Sequence, residues 1–412
     1  MKKQFLLLVV LGFATQGAAR SNILRPYDVN MRPNYWQKNE KKLSITSAFG
    51  FTQKSRNADG DKVSSPQYLH ADQNALAMLK GMGSTTEAAA LAQQINVNGD
   101  NGVRGHYVVT GDYQAPLNIV LAGHYHFWNE WTISAFVPFY QMKFDNVSWV
   151  NQTKNVTGDD ALTRSLLTDN FFSKVSQLGD NLNLEDWKQT GIGDGTLMVS
   201  WVRKFFQNRP WLRQVNVNAR AGISFPTGIK KDENKAFSLP FGNDGAYAIP
   251  FSAGLDLRFK DWCWAGVDIS FEHIFSHTKD RRIMTDVSQT NYLFLQKSST
   301  RKEYGFVQMF NLYVEPQITK ALSVRCAYQH TKHGDDKLFV LSEDFSSITA
   351  NKAAELEEWT THNVFIQGKW DKEQSNPDAL FKPQASVFAQ IPFNGRRSLQ
   401  TAAVGLSISL GF

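Results

Sequence analysis

The side chains able to do chemistry in this sequence are few and scattered. His106, His124, His126, His273, His277, His330 and His333 are the candidate general bases. A hydrolase built on any of them needs a nucleophile and an orienting group within hydrogen-bond reach. That set is missing: His124 and His126 have no carboxylate or thiol beside them, and no serine stands two residues from His273 on the same strand face. As metal ligands His124 and His126 supply only two positions, fewer than a zinc site takes from protein. They are read as ordinary polar residues, so no cofactor, no metal and no enzyme are expected. What remains is charge set within alternating stretches: Arg220, Asp256, Arg258, Asp268, Glu272, Glu315, Arg325 and Lys369. What such charges do depends on the elements that carry them and the way those elements face.

The elements read as strands. The last stretch, 402–412, has apolar residues at every even position and only Ala, Gly or Ser between them. Successive side chains of a strand point to opposite faces, so it carries one greasy and one small face. The same period-two pattern recurs at 43–54, 105–127, 131–144, 192–202, 215–225, 247–259, 264–275, 303–316, 322–329, 359–370 and 384–391. The second keeps Tyr107, Val109, Tyr113, Leu117, Ile119, Leu121, Tyr125 and Phe127 in one unbroken phase. The eighth is the least clean, with Val307, Met309 and Tyr313 opposite Phe310, Leu312 and Val314. Long insertions at 55–103, 145–190, 226–246, 276–302 and 330–358 alternate with short connections. Helical patches are expected at 68–80, 86–94 and 160–178, the last with Leu162, Leu166, Phe172 and Val175 as its apolar face.

An even number of strands joined alternately by short turns and long loops defines the expected fold class. It is all-β, a twelve-stranded antiparallel up-and-down transmembrane β-barrel with long, partly helical outer loops. In the phase that puts apolar residues outward, the eight charges above point into the lumen, since Arg or Lys at mid-membrane lipid positions costs about 2–4 kcal/mol. They are the expected lumen-lining and selectivity residues. Arg220, Asp256, Asp268 and Arg325 are expected to form a ladder of ion pairs that braces the wall or narrows the passage. Tryptophans 128, 131, 201, 211, 262, 264 and 370 flank the short turns, as an interfacial girdle would.

Composition sets the remaining bounds. Residues 1–19 read as a secretory signal: Lys2 and Lys3, an apolar core over 5–14, then Gly17-Ala18-Ala19. The mean hydropathy of −0.36 does not argue against a membrane, because alternating strands hide from an average. The formal charge of +6 resides in the signal and in 20–42, which holds Arg20, Arg25, Arg32, Lys38, Lys41 and Lys42 against Asp28 and Glu40. From residue 43 onward the chain is neutral, which excludes a nucleic-acid-binding domain. The expected organisation is a signal peptide at 1–19, a basic strap or plug at 20–42 and the barrel at 43–412. The strap or the 160–178 helix is a candidate for folding inward. Cys263 and Cys326 fall on alternate strands, roughly 10 Å apart at the strand spacing, and are expected as free, lipid-facing thiols.

Two resemblances follow. The 402–412 stretch, closing on Phe412, resembles the C-terminal signal by which outer-membrane barrels engage the barrel-assembly machinery. Gly191-Ile192-Gly193-Asp194-Gly195 and Ile223-Ser224-Phe225-Pro226-Thr227-Gly228 resemble the Gly-x-Gly-Asp and Leu-Pro-Thr-Gly-like signatures of the outer-membrane barrel family labelled for the MetA pathway of phenol degradation. Gly191, Gly193, Asp194, Pro226, Thr227 and Gly228 carry the likeness. It implies a bacterial outer-membrane channel, porin-like, for passive uptake of small solutes, hydrophobic or aromatic ones included. The implied partners are membrane lipid and the solute. A surface structural or adhesive barrel acting through its outer loops is the alternative, and an outer-membrane hydrolase a remoter one.

Overall fold

The structure, a computed structural model, describes residues 25–32, 40–51, 54–128, 130–260, 262–375 and 380–412. The signal at 1–19 and strap positions 20–24 and 33–39, Lys38 among them, lie outside the described residues. Twelve antiparallel strands close into a barrel. They are β1 (Lys41–Phe51), β2 (His106–Trp128), β3 (Trp131–Asn151), β4 (Gly195–Phe206), β5 (Leu212–Phe225) and β6 (Ala248–Phe259), then β7 (Cys263–Ile274), β8 (Val307–Pro316), β9 (Leu322–His333), β10 (Trp359–Asp371), β11 (Lys382–Arg396) and β12 (Ala402–Gly411). β1 completes the ring, pairing with β12 from Lys42↔Gly411 to Phe51↔Ala402 and with β2 on its other edge. No barrel edge is left to pair with another chain, which is what a spanning sheet requires.

Alternation decides the two faces. Leu43, Ile45, Leu121, Val137, Leu406 and Ile408 stand 43–60% exposed on the outside, while Thr46, Ala48, Asn118 and Val120 are buried inside. This outer belt is where lipid lies. Trp128, Trp131, Trp211, Trp262 and Trp370 are exposed at the short-turn end, and the Trp201 indole N–H donates to Glu130 at 2.7 Å. Trp264 departs from the girdle: it sits in the inward phase beside Gly266 and Asp268, with the Arg258 guanidinium 5.6 Å from its ring centre. The two thiols are free, Cys326 exposed and Cys263 half-buried.

β2 does not keep one phase. Tyr107, Val109, Tyr113 and Ala115 are buried at odd positions, but from Asn118 to His126 the buried residues are even. The register shifts between Gln114 and Leu117, with a further irregularity at Thr110/Asp112. An extra residue in one strand turns every later side chain to the other face, and Pro116 within this stretch has no N–H to give the ladder. Above the bulge β2 and β3 leave the bilayer, and their inward aromatics enter the core of an extracellular cap.

The outer loops build that cap around three buried clusters. Tyr113, Phe144, Trp187, Phe237, Phe241 and Tyr292 form one, Leu76, Leu167, Phe171, Val175 and Leu293 belong to a second, and Ile283, Phe294 and Leu338 to a third. The expected helix at 86–94 forms as α1 (Glu87–Gln94), with Thr86 Oγ1 accepting from the Ala89 N–H at 3.2 Å. The patch at 68–80 winds only into short 3₁₀ turns, Ser65–Tyr68 and Ala77–Leu79. The helix expected over 160–178 is divided into α2 (Gly158–Thr163) and α3 (Phe171–Leu178), joined by a wider turn. Its buried apolar residues are Leu167, Phe171 and Val175, one turn apart, whereas Leu162 and Phe172 are 39% and 47% exposed. This segment packs into the cap and not into the lumen.

Candidate functional site

Residues 25–32 of the strap lie inside the barrel, while Lys41 and Lys42 already belong to β1. Asp28 caps a 3₁₀ turn, Val29–Met31, by accepting from the Asn30 N–H at 2.8 Å, and this compact turn presents polar groups to the wall all round. Arg25 pairs with Glu272 of β7. Arg220 of β5 donates to the Tyr27 carbonyl at 3.1 Å. Gln329 of β9 donates to Asp28 at 3.1 Å, Asn30 donates to Asn311 of β8 at 3.1 Å, and Arg325 donates to Asn30 at 3.3 Å. Arg32 reaches Asp256 of β6 at 3.5 Å. Five strands thus hold one eight-residue segment.

The wall charges do not form a single ladder. Arg220 meets Asp268 at 3.6 Å and Ser252 at 3.0 Å. From the adjacent strand β8, Glu315 binds Arg325 at 2.6 Å and Lys369 at 3.2 Å, and Arg325 lies 4.0 Å from the Tyr313 ring centre. Asp256 accepts from the Tyr313 hydroxyl at 2.7 Å, which attaches it to the second group through that ring. Arg258 stands apart at the short-turn mouth, over Trp264. His124 and His126 are occupied by hydroxyls, Ser134 at 2.9 Å and Thr132 at 2.8 Å. Among the described residues no cluster of three His, Cys, Asp or Glu side chains is arranged to hold a metal.

Neutral members of the site escape a search for charge alone. Asn311, Gln329, Asn363 and Gln367 are buried on the inward phase of β8 to β10, and polar amides in that phase are the signal that would have found them. Crevices lie around the held segment, one between it and the Ser323, Lys369 and Gln384 wall, one against His124 and Arg220, and one against Gln329 and Asn363.

Above them opens a larger cleft of about 1070 Å³, lined by loops 226–247, 275–306 and 334–358 and by the upper barrel. One wall is aromatic: Phe237 lies with its ring centre 4.7 Å from Tyr292 and 5.3 Å from Phe144. The other wall is charged and internally paired. Lys279 bonds Asp244 at 2.7 Å and Glu233 at 2.9 Å, Lys231 bonds Glu355 at 3.2 Å, and Lys302 bonds Asp336 at 2.6 Å. Burial works against the Asp244 charge, but Lys279, Arg281 and the Lys231 N–H together outweigh it and hold the carboxyl below the usual range. Burial likewise opposes the Lys231 charge, and Glu355 and Glu233 reverse it, raising the ammonium above its ordinary value. Trp359, stacked on His333 at 5.4 Å, borders both this cleft and the lumen crevice that Arg25 and Val29 line.

The two glycine-rich stretches frame the cleft. Asp194 is buried where the strand Trp187–Ile192 breaks before β4. It accepts from the backbone N–H of Gly228 at 2.9 Å and of Asn243 at 2.6 Å, tying down both ends of loop 226–247. Burial pushes its pKa up to about 6. Thr227 Oγ1 accepts from the Gly195 N–H at 2.8 Å and donates to the Gly193 carbonyl at 3.0 Å, while Pro226 ends β5. Glycine is required by contact: a Cβ on Gly193 would lie 2.5 Å from the Tyr140 ring, and one on Gly242 2.1 Å from Asp194. On Gly191 it would meet Ile229 at 2.3 Å and on Gly228 it would meet Asp194 at 2.8 Å.

No family model and no curated protein matches the chain. Among solved structures, the COG4313 outer membrane channel from Pseudomonas putida F1 superposes with a TM-score of 0.52 over 92% of this chain and 97% of that chain, at 12% identity. The toluene transporter TodX of Pseudomonas putida covers 92% of this chain and 90% of its own at 7% identity, with a TM-score of 0.37, too distant for a common topology to be read. The likeness to the first is one of fold. With its closed strands and lipid-facing belt, the chain is an outer-membrane β-barrel.

Proposed function

We propose that the protein is an outer-membrane channel for passive uptake of small solutes, apolar and aromatic ones among them. The observation that carries this reading is that Trp359 borders both the aromatic outer cleft and one lumen crevice, so a single side chain stands between the two. A flat, apolar solute leaves water for the Phe144, Phe237 and Tyr292 wall, where its ring stacks at little polar cost. The opposite wall spends its charges on each other, so it offers a neutral solute no fixed countercharge. Residues 25–32 are the gate: each tether is a single hydrogen bond or ion pair, so a partial release opens one crevice without unfolding the barrel. The solved channel from Pseudomonas putida F1 adds the support of a shared fold. In the same reading the terminal strand engages the assembly machinery, and Phe412, 50% exposed, is the residue presented.

The test is single-channel recording of refolded mature protein in a planar bilayer under a salt gradient. Small discrete steps are expected from the intact chain. The Arg220→Ala, Arg325→Ala double variant removes two cations and two anchors of the gate, so larger steps with a shift toward cation preference are expected. A folded barrel silent both intact and after deletion of 20–32 rejects the channel. It would leave the loops, with their three buried clusters, as the working surface of a structural or adhesive protein.

A further inference from the structure

The outward face of β9 to β11 changes character near its outer end. Low on these strands it is apolar, with Val364, Ile366, Val387 and Ile391 each 37–59% exposed. Higher up, the register aligns Lys332 with Thr360 and Thr360 with Arg396, and one step below aligns His330 with His362 and His362 with Asn394. Their inward neighbours Gln329, His333, Thr361 and Asn363 are buried, which places the aligned residues outside. The His330 and His362 rings are 4.7 Å apart between centres. His362 Nδ1 is bonded to the Tyr328 hydroxyl at 2.7 Å, and Phe393 closes the lower side, 6.0 Å from His362. Lys332 is shared with Glu358 at 2.7 Å. Arg396 is exposed, and its side chain forms no ion pair or hydrogen bond among the described residues.

We infer that this patch, Lys332, His330, His362 and Arg396 above an apolar track, is a docking site for a phosphorylated glycolipid of the outer leaflet. The argument is charge complementarity joined to position. A guanidinium, an ammonium and two imidazoles converge over three adjacent strands, and a guanidinium matches a phosphate through paired N–H donors. The donors stand where the lipid-facing belt ends, so a lipid whose acyl chains lie along Val364, Ile366 and Val387 presents its headgroup to them. The site is separate from the lumen and the cleft, and it stands whether or not the protein conducts.

The experiment uses the full mature chain, refolded and checked for heat-modifiable mobility, in nanodiscs of phosphatidylethanolamine with and without lipid A. Lipid A retained after transfer to detergent is counted by native mass spectrometry. Intact protein is expected to retain lipid A, and Arg396→Gln with His330→Gln and His362→Gln to weaken retention roughly tenfold or more. Arg396→Gln alone, on an exposed side chain, keeps the test valid if the triple variant misfolds, and it is expected to lower retention severalfold. Lys188→Gln, on another outward face, is the control and is expected to change nothing. Equal retention by intact and variant proteins overturns the inference. So does equal protection by inorganic phosphate alone, which would make the patch an anion site with no lipid specificity.

Discussion

Replacing Asp194 by alanine tests the connection between the glycine-rich stretches and the cleft. The carboxylate accepts two backbone hydrogen bonds, a partly buried one from Gly228 and a buried one from Asn243. At about 1.5–3 kcal/mol for each bond to a charged acceptor, the gross contribution is about 3–6 kcal/mol. Desolvation opposes the charge, and the carboxyl stays raised to about 6 even with both bonds made, so only part of the gross contribution survives at neutral pH. Asp194→Ala is therefore expected to loosen loop 226–247 by about 2 kcal/mol, a rise of about thirtyfold in its opening. The barrel itself, closed by its own ladders, is expected to melt unchanged. Hydrogen exchange of the Gly228 and Asn243 amides reads the effect directly, and Asp194→Asn, which keeps one acceptor and the side-chain volume, should fall between. Because the folded pKa is raised, the ionisation penalty is absent below the ordinary value of 3.8 and fully present above about 6, so acidification tightens this loop in the native protein. Unchanged protection of both amides in Asp194→Ala, or loosening on acidification, would refute the latch.

Two further outcomes follow from the same geometry. Leu406, mid-strand on β12 between Ser47 and Val387, is 43% exposed to lipid. Leu406→Arg is expected to cost about 2–4 kcal/mol, read as a lower folded fraction in urea-dependent refolding; normal yield of heat-modifiable barrel would overturn the phase assigned to β12. At the outer end of β2 His106 is bonded to Asp72 and, at 3.0 Å, to Asp100, and the bond to Asp72 raises its pKa. That stabilisation is complete below the unfolded value near 6.5 and is lost as pH rises through the higher folded value. Proteolysis of loop 54–105 is accordingly expected to quicken at alkaline pH, and equal rates on both sides of that window, or a pH effect that survives His106→Ala, would refute it.

The barrel was legible in the sequence because its physics is periodic. Two faces in different solvents force apolar residues onto alternate positions, so strand number, long and short connections, the outward set of β12 and the all-β class could be read without coordinates. The glycine-rich stretches were also visible, though not the reason for them, which is the approach of Asp194 to Gly242 and of Tyr140 to Gly193. Three matters were decided only by the tertiary structure. The phase of β2 reverses at Gln114/Leu117, since an apolar face looks the same whether lipid or the cap covers it. What meets Trp264 inside the barrel is a cation from a neighbouring strand, Arg258. The lumen contacts join residues far apart in the chain, 193 positions for Arg220 with Tyr27 and 281 for Asn30 with Asn311. Local alternation carries no record of such distances: it tells each side chain which face it occupies, and only closure of the ring decides what waits there.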